Sequence, residues 1–128
     1  MGLQWRREQG LQQLFKLFRA FCGDTVSQLT VAYRYYLDAE NPKSLERALY
    51  WANRAAGNGE AGGYLLAASI LLARSGDEEA TRKQIFAAYK AAADLNDADG
   101  QQAVAWCFEQ GVGVDRNIDL AISWTRNA

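Results

Sequence analysis

Ala48-Leu49-Tyr50-Trp51-Ala52-Asn53-Arg54-Ala55-Ala56 is a stretch that this chain writes three times. It returns, altered, at residues 85–93 and again at 121–128. The central position holds Trp51, Ala88 and Trp124, which sets steps of 37 residues (51 to 88) and 36 residues (88 to 124). Self-similarity at a period of about 20 to 50 residues marks stacked supersecondary units, none of which buries its apolar face alone. The chain therefore reads as an array.

Two other positions keep the beat. Ser44, Thr81 and Asn117 stand at the same steps of 37 and 36, and each has a side-chain oxygen suited to accept from the free amides of a helix start. Thr81 is followed three residues on by Gln84, the pattern of a capping box. Gly23-Asp24, Gly59-Glu60 and Asn96-Asp97 form a second recurring point, at steps of 36 and 37. Gly and Asn tolerate the left-handed conformation that closes a helix, and the following acid suits the positive end of the next one. Each unit thus reads as helix, loop, helix, tight junction. The pattern predicts helices over 25–39 and 44–57, 60–75 and 81–95, 97–110 and 117 onward. Asn41-Pro42, Gly76-Asp77 and Gly111-Val112-Gly113-Val114 break the pairs. No segment alternates at period two over a strand's length, so the expected class is all-α.

Ahead of the pairs, Leu11, Leu14, Phe15, Phe18, Phe21 and Cys22 form an apolar stripe at helical spacing. Phe15 stands 36 residues before Trp51, the place of a second helix in a preceding unit. A helix over residues 1–23 is expected to cap the array.

Composition narrows the function. With 128 residues, 49% hydrophobic and 23% charged, the chain fits one domain or a short solenoid. Fourteen basic against fifteen acidic residues, a net charge of −1, leave no footprint for a polyanion, so no nucleic-acid partner is expected. Arg6, Arg7, Lys16 and Arg19 read as a solvated helix face. No window reaches the roughly 18 apolar residues of a membrane span, and the start lacks the apolar core of a secretory signal. The expected location is the cytoplasm. Cys22 and Cys107 show no metal-ligand spacing and read as reduced, structural thiols. Histidine is absent, which removes the commonest general base and any histidine-based triad. Glu78-Glu79, Asp97 and Asp99 fall at loops or helix starts, where capping accounts for them. Gly111-x-Gly113 is explained by its loop and is no Walker-type phosphate cradle. No catalytic residue, cofactor or metal site is assigned, and the chain is not read as an enzyme.

The third unit is the most specific. Ala103-Val104-Ala105-Trp106-Cys107-Phe108-Glu109-Gln110-Gly111-Val112-Gly113-Val114, followed by Ala121, Trp124 and Ala128, resembles the Sel-one-like repeat (SLR), a relative of the tetratricopeptide repeat. The first unit keeps Ala48, Trp51, Ala55 and Ala56 but has Asn41-Pro42 in place of the glycine loop. The second keeps Ala92 and Ala93 but has Ala88 where the tryptophan belongs. The resemblance implies a right-handed α-solenoid of antiparallel helix pairs, about three units over 24–59, 60–96 and 97–128, with the first helices lining the concave side. It also implies a protein-interaction module: an adaptor, assembly factor or regulator, or, in a bacterial setting, an immunity protein for a secreted toxin.

Stepping 37 and then 36 along the first helices places Tyr33, Ile70 and Trp106 at a position the scaffold does not require to be apolar. Leu29, Leu66 and Gln102 lie a turn before, and Tyr36, Ala73 and Glu109 three residues after. On the concave side implied by the resemblance these would form an apolar and aromatic groove. The expected partner-binding residues are Tyr33, Tyr36, Leu66, Ile70 and Trp106, and the expected partner is a segment of another protein. Two alternatives stay open: the groove is filled by the chain's own first helix, or Trp5, Leu11, Phe15, Phe18 and Phe21 enter a membrane surface beside the basic residues.

Overall fold

The computed structural model describes residues 24–38, 41–75 and 77–127. Six helices account for them: α1 (Thr25–Leu37), α2 (Pro42–Gly57), α3 (Ala61–Ser75), α4 (Glu79–Asp94), α5 (Ala98–Gln110) and α6 (Ile118–Asn127). The expected boundaries hold to within a turn. Among the described residues there is no strand, and no helix is long and apolar enough to cross a membrane. The expected capping helix, its apolar stripe and its basic face fall in residues 1–23, outside the described residues.

Each helix packs on the next, so the chain forms three antiparallel hairpins, α1–α2, α3–α4 and α5–α6. The odd-numbered helices also approach one another, α1 to α3 and α3 to α5, with Cα atoms within 8 Å, whereas no Cα atoms of different even-numbered helices come that close. Closer spacing in one layer than in the other curves the stack. The odd helices therefore lie on its inner side.

The junctions explain why the stacking repeats. After α2, the amide of Gly59 donates to the Ala56 carbonyl at 2.9 Å and that of Glu60 to Ala55 at 3.3 Å. After α4, Asn96 donates to Ala93 at 2.9 Å and Asp97 to Ala92 at 3.3 Å. Both are Schellman closures, with Gly59 at φ 86° and Asn96 at φ 67°, as the sequence pattern predicts. The chain turns so tightly that α3 meets α2 backbone to backbone. A Cβ on Gly63 would stand 2.4 Å from the Ala56 nitrogen, and one on Gly100 would stand 2.7 Å from the Ala93 nitrogen. Only glycine permits that approach.

Helix starts differ from expectation at two of three places. Asn117 does cap α6, accepting from the Leu120 amide at 3.0 Å. Ser44 and Thr81, however, sit at the third position inside α2 and α4. Asn41 caps α2 instead, accepting from the Lys43 amide at 3.0 Å, with Pro42 at the first helical position where its missing N–H costs nothing. The hydroxyls of Ser44 and Thr81 reach back to acids before the helix. Ser44 donates to Asp38 at 2.8 Å and Thr81 to Glu78 at 3.4 Å, so the capping box of Thr81 with Gln84 does not form.

Two apolar clusters fill the spaces between layers. Val31, Ala32, Leu45, Ala48, Trp51, Ala52, Ala67 and Ile70 build the first. Ala68, Ile85, Tyr89, Ala93, Val104, Cys107 and Val112 build the second, with Trp124 packed against it. Trp51 is 4% exposed, with the Tyr50 ring edge-on at 5.1 Å and the Arg54 guanidinium 5.5 Å from its centre. Phe86 and Phe108 meet edge to face at 5.6 Å. Gln28, fully buried, accepts from the Asn58 side-chain amide at 3.1 Å and so ties α1 to the first junction. Cys107 is buried, and burial pushes its thiol up to about 11.

Candidate functional site

Side chains of α1 and α3, some of them packed at the margins of the two apolar clusters, meet across a cleft of about 560 Å³. Leu29, Thr30, Tyr33 and Tyr36 line it from α1, and Gly62, Leu65, Leu66 and Ser69 line it from α3. Each set repeats at three and four residues, the spacing of one helical face. At Gly62 a Cβ would come into ordinary contact with Leu29 at 3.4 Å, so the two helices lie close there.

None of these eight residues carries a charge. The two hydroxyls are turned into their own helices: Thr30 donates to the Val26 carbonyl at 2.9 Å and Ser69 to that of Leu65 at 3.1 Å. Leucine side chains and tyrosine rings are left as the surface. Tyr33 is 54% exposed at the lip and its ring lies 6.3 Å from that of Tyr36, which is half-buried. From beneath, Tyr89 of α4 brings its phenol toward Ser69 and Cys107, and burial raises its pKa above the ordinary value. Such a cleft takes apolar side chains. It offers no nucleophile, no acid–base pair and no charged anchor.

Of the expected partner-binding residues, Tyr33, Tyr36 and Leu66 are brought together in this cleft. Trp106 is 38% exposed on α5, the next odd helix along, and does not line it. Ile70 is a correction. It is fully buried in the first core cluster beside Ala67 and Trp51 and is not available to a partner. The reason is one residue of register. From helix start to tryptophan position the first unit spans 26 residues (25 to 51), the second 27 (61 to 88) and the third 26 (98 to 124). The odd helices therefore step by 36 and then 37, and the mate of Tyr33 and Trp106 is Ser69. Ile70 lies about 100° further round α3 and faces inward. Leu65 and Ser69 escaped the sequence reading for the same reason. The steps of 36 from Gly23 to Gly59 and 37 from Gly59 to Asn96 carry the signal that finds them.

Elsewhere, Asp77, Glu79, Arg82, Lys83, Gly113 and Asp115 surround a polar cleft of about 550 Å³ at the hairpin loops. Its three carboxylates and two cations offset one another. Among the described residues, no group of His, Cys, Asp and Glu is placed to hold a metal ion.

A solved structure, that of a Sel1 repeat protein from Oxalobacter formigenes, is similar to this chain with a TM-score of 0.74. The two are 26% identical, and the match covers 88% of this chain and 86% of that one. No family model matches the sequence, and no curated protein matches it. In fold the chain is a Sel1-like repeat solenoid, an all-α array of helix hairpins like that neighbour.

Proposed function

We propose that the chain is a protein-interaction module that binds an apolar segment of a partner protein in the cleft between α1 and α3, with the contact continuing along the odd helices to Trp106. The observation that supports this most is an uncharged cleft of about 560 Å³ on the inner side of the stack, with Tyr33 more than half exposed at its lip. Tyrosine and tryptophan are the side chains most often found as binding anchors, because they bury large area at low entropic cost. Tyr33, Ser69 and Trp106 share a register position, so one extended or helical segment lying across the odd helices meets them in turn. Adaptor, assembly factor and regulator are all roles such a module serves.

Site-specific photo-cross-linking in the native host tests the reading. A benzophenone residue placed at position 33, and separately at 106, is expected to trap the same protein. One placed at Tyr50, 52% exposed on α2, is expected to trap none of it. Equal trapping from position 50 would move the site to the other layer. Tyr33→Ala and Trp106→Ala should each weaken the partner by about thirtyfold, the roughly 2 kcal/mol of a binding hot spot.

A further inference from the structure

We propose that the crevice between α2 and α4 is a socket for the indole ring of a tryptophan carried by a partner protein. Trp51, Ala88 and Trp124 share one position on the three even helices, and only the middle one lacks the ring. In the third unit the ring is present. Trp124 packs against the second apolar cluster, which contains Val104 and against which Phe86 and Phe108 also pack, and the Lys90 ammonium stands 5.7 Å from its centre.

One unit back, the same register positions are Leu49 for Phe86, Asn53 for Lys90, Ala67 for Val104 and Leu71 for Phe108. These four residues, with Tyr64, Gln84, Ala87 and Ala88, line a crevice of about 290 Å³. The space that Trp124 fills in its own unit is thus left open beside Ala88. Tyr89 does not fill it, because its phenol is turned toward Ser69 and Cys107 on the other side of α4. The backbones of α2 and α4 stand apart, with no Cα atoms within 8 Å of each other, which leaves the crevice open to solvent.

Its walls suit an aromatic ring. Leu49, Ala67, Leu71 and Ala88 are apolar, and the exposed amides of Asn53 and Gln84 supply acceptor oxygens within the lining for an indole N–H. An apolar cavity of about 150 Å³ is enough to hold benzene, so about twice that volume takes a bicyclic ring. The chain itself names the occupant, since in the other two units this register position carries a tryptophan side chain delivered from a helix, Trp51 and Trp124. A ring tethered to a partner's backbone at the open mouth repeats that arrangement. Tyr64, Ala67 and Leu71 lie on the face of α3 opposite Leu65, Leu66 and Ser69, so this surface is separate from the inner cleft.

The test is an amide-resolved NMR titration of the intact protein with N-acetyl-L-tryptophanamide, with free indole as a second probe. Saturable shifts are expected at Ala67, Leu71 and Ala88 for both probes, with dissociation constants on the order of 1 mM for so small a ligand. Ala88→Trp should fill the crevice from within, raise the melting temperature and weaken the probe at least tenfold. Shifts scattered over the surface, or unchanged in Ala88→Trp, would overturn the proposal. So would an Ala88→Trp protein that melts lower or fails to fold, because a ring in that register would then not fit. Binding of indole without the tryptophanamide would assign the crevice to a free small molecule and refute a partner's side chain. Cross-linking from position 33 is expected to be unchanged in Ala88→Trp, so this failure and that of the inner cleft are read separately.

Discussion

Trp51→Ala removes the largest side chain of the first core cluster, and the cost follows from its surroundings. At 4% exposure the indole is enclosed by Val31, Leu45, Ala67 and Ile70. An aromatic of this size buries about 150 to 250 Å², which at about 25 cal/mol per Å² is roughly 4 to 6 kcal/mol of transfer free energy. Alanine retains the Cβ and the walls relax in part, which brings the expected loss to about 4 kcal/mol, within the range of about 3 to 5 for such truncations. The Tyr50 edge contact and the Arg54 guanidinium lie on the solvent side of the ring, and we assign them only tenths of that. The total is a large share of the about 5 to 15 kcal/mol that holds a domain of this size. Urea unfolding followed by far-UV circular dichroism is the assay, because removing a tryptophan alters the fluorescence baseline. The midpoint should fall sharply with the slope unchanged. Trp124→Ala, at a half-buried site against the last hairpin, should cost less than half as much. A Trp51→Ala loss below about 1.5 kcal/mol, or one equalled by Trp124→Ala, would refute the assignment of Trp51 to the inter-helix core.

In a Cys22→Ser background, where Cys107 is the lone thiol, native protein should react with a disulfide reagent at least about a hundredfold more slowly than unfolded protein. Burial pushes the Cys107 thiol up to about 11, above its ordinary value, so the unfolded state loses its proton first. Stability is therefore full below about pH 9 and falls as pH rises toward 11, as a pH series of urea midpoints would show. Gly63→Ala, which drives a Cβ into the Ala56 backbone, should destabilise by about 1 to 3 kcal/mol, whereas Gly57→Ala, with nothing within 4 Å, should stabilise by about 0.4 to 1 kcal/mol. Matching melting temperatures for the two would show that α2 and α3 do not meet at Gly63.

Most of the architecture was legible because local chemistry and the repeat agree. Gly59 and Asn96 declare their left-handed turns, Cys107 and Trp51 sit where an inward face demands, and Ala48, Ala55, Ala92 and Ala121, small residues that let helices approach closely, are all buried. Helix starts were less legible. Ser44 and Thr81 look like caps in isolation, but Asn41 followed by Pro42, and Glu78 before α4, start their helices three residues earlier. The inner cleft was half legible: Tyr33, Tyr36 and Leu66 reach it, while Ile70 was misplaced because one extra residue between Ala61 and Ala88 is invisible unless both helices of a unit are stepped separately. Nor does the sequence by itself show that Ala88 leaves a crevice, since that depends on α2 and α4 standing apart.

The backbone contacts at Gly63 and Gly100 also decide where this chain tolerates added length. From Ala56 to Gly63 and from Ala93 to Gly100 the count is seven residues in both junctions, and the closing bonds from Asn58, Gly59 and Glu60 are matched by those from Leu95, Asn96 and Asp97. The hairpins between them already differ in length by one residue, and the difference leaves the stacking intact. A peptide tag or fluorescent reporter spliced after Asp77, exposed between α3 and α4, meets a part of the chain whose length the fold does not count. The same insert after Gly59 would break a closure in which every residue is assigned a place.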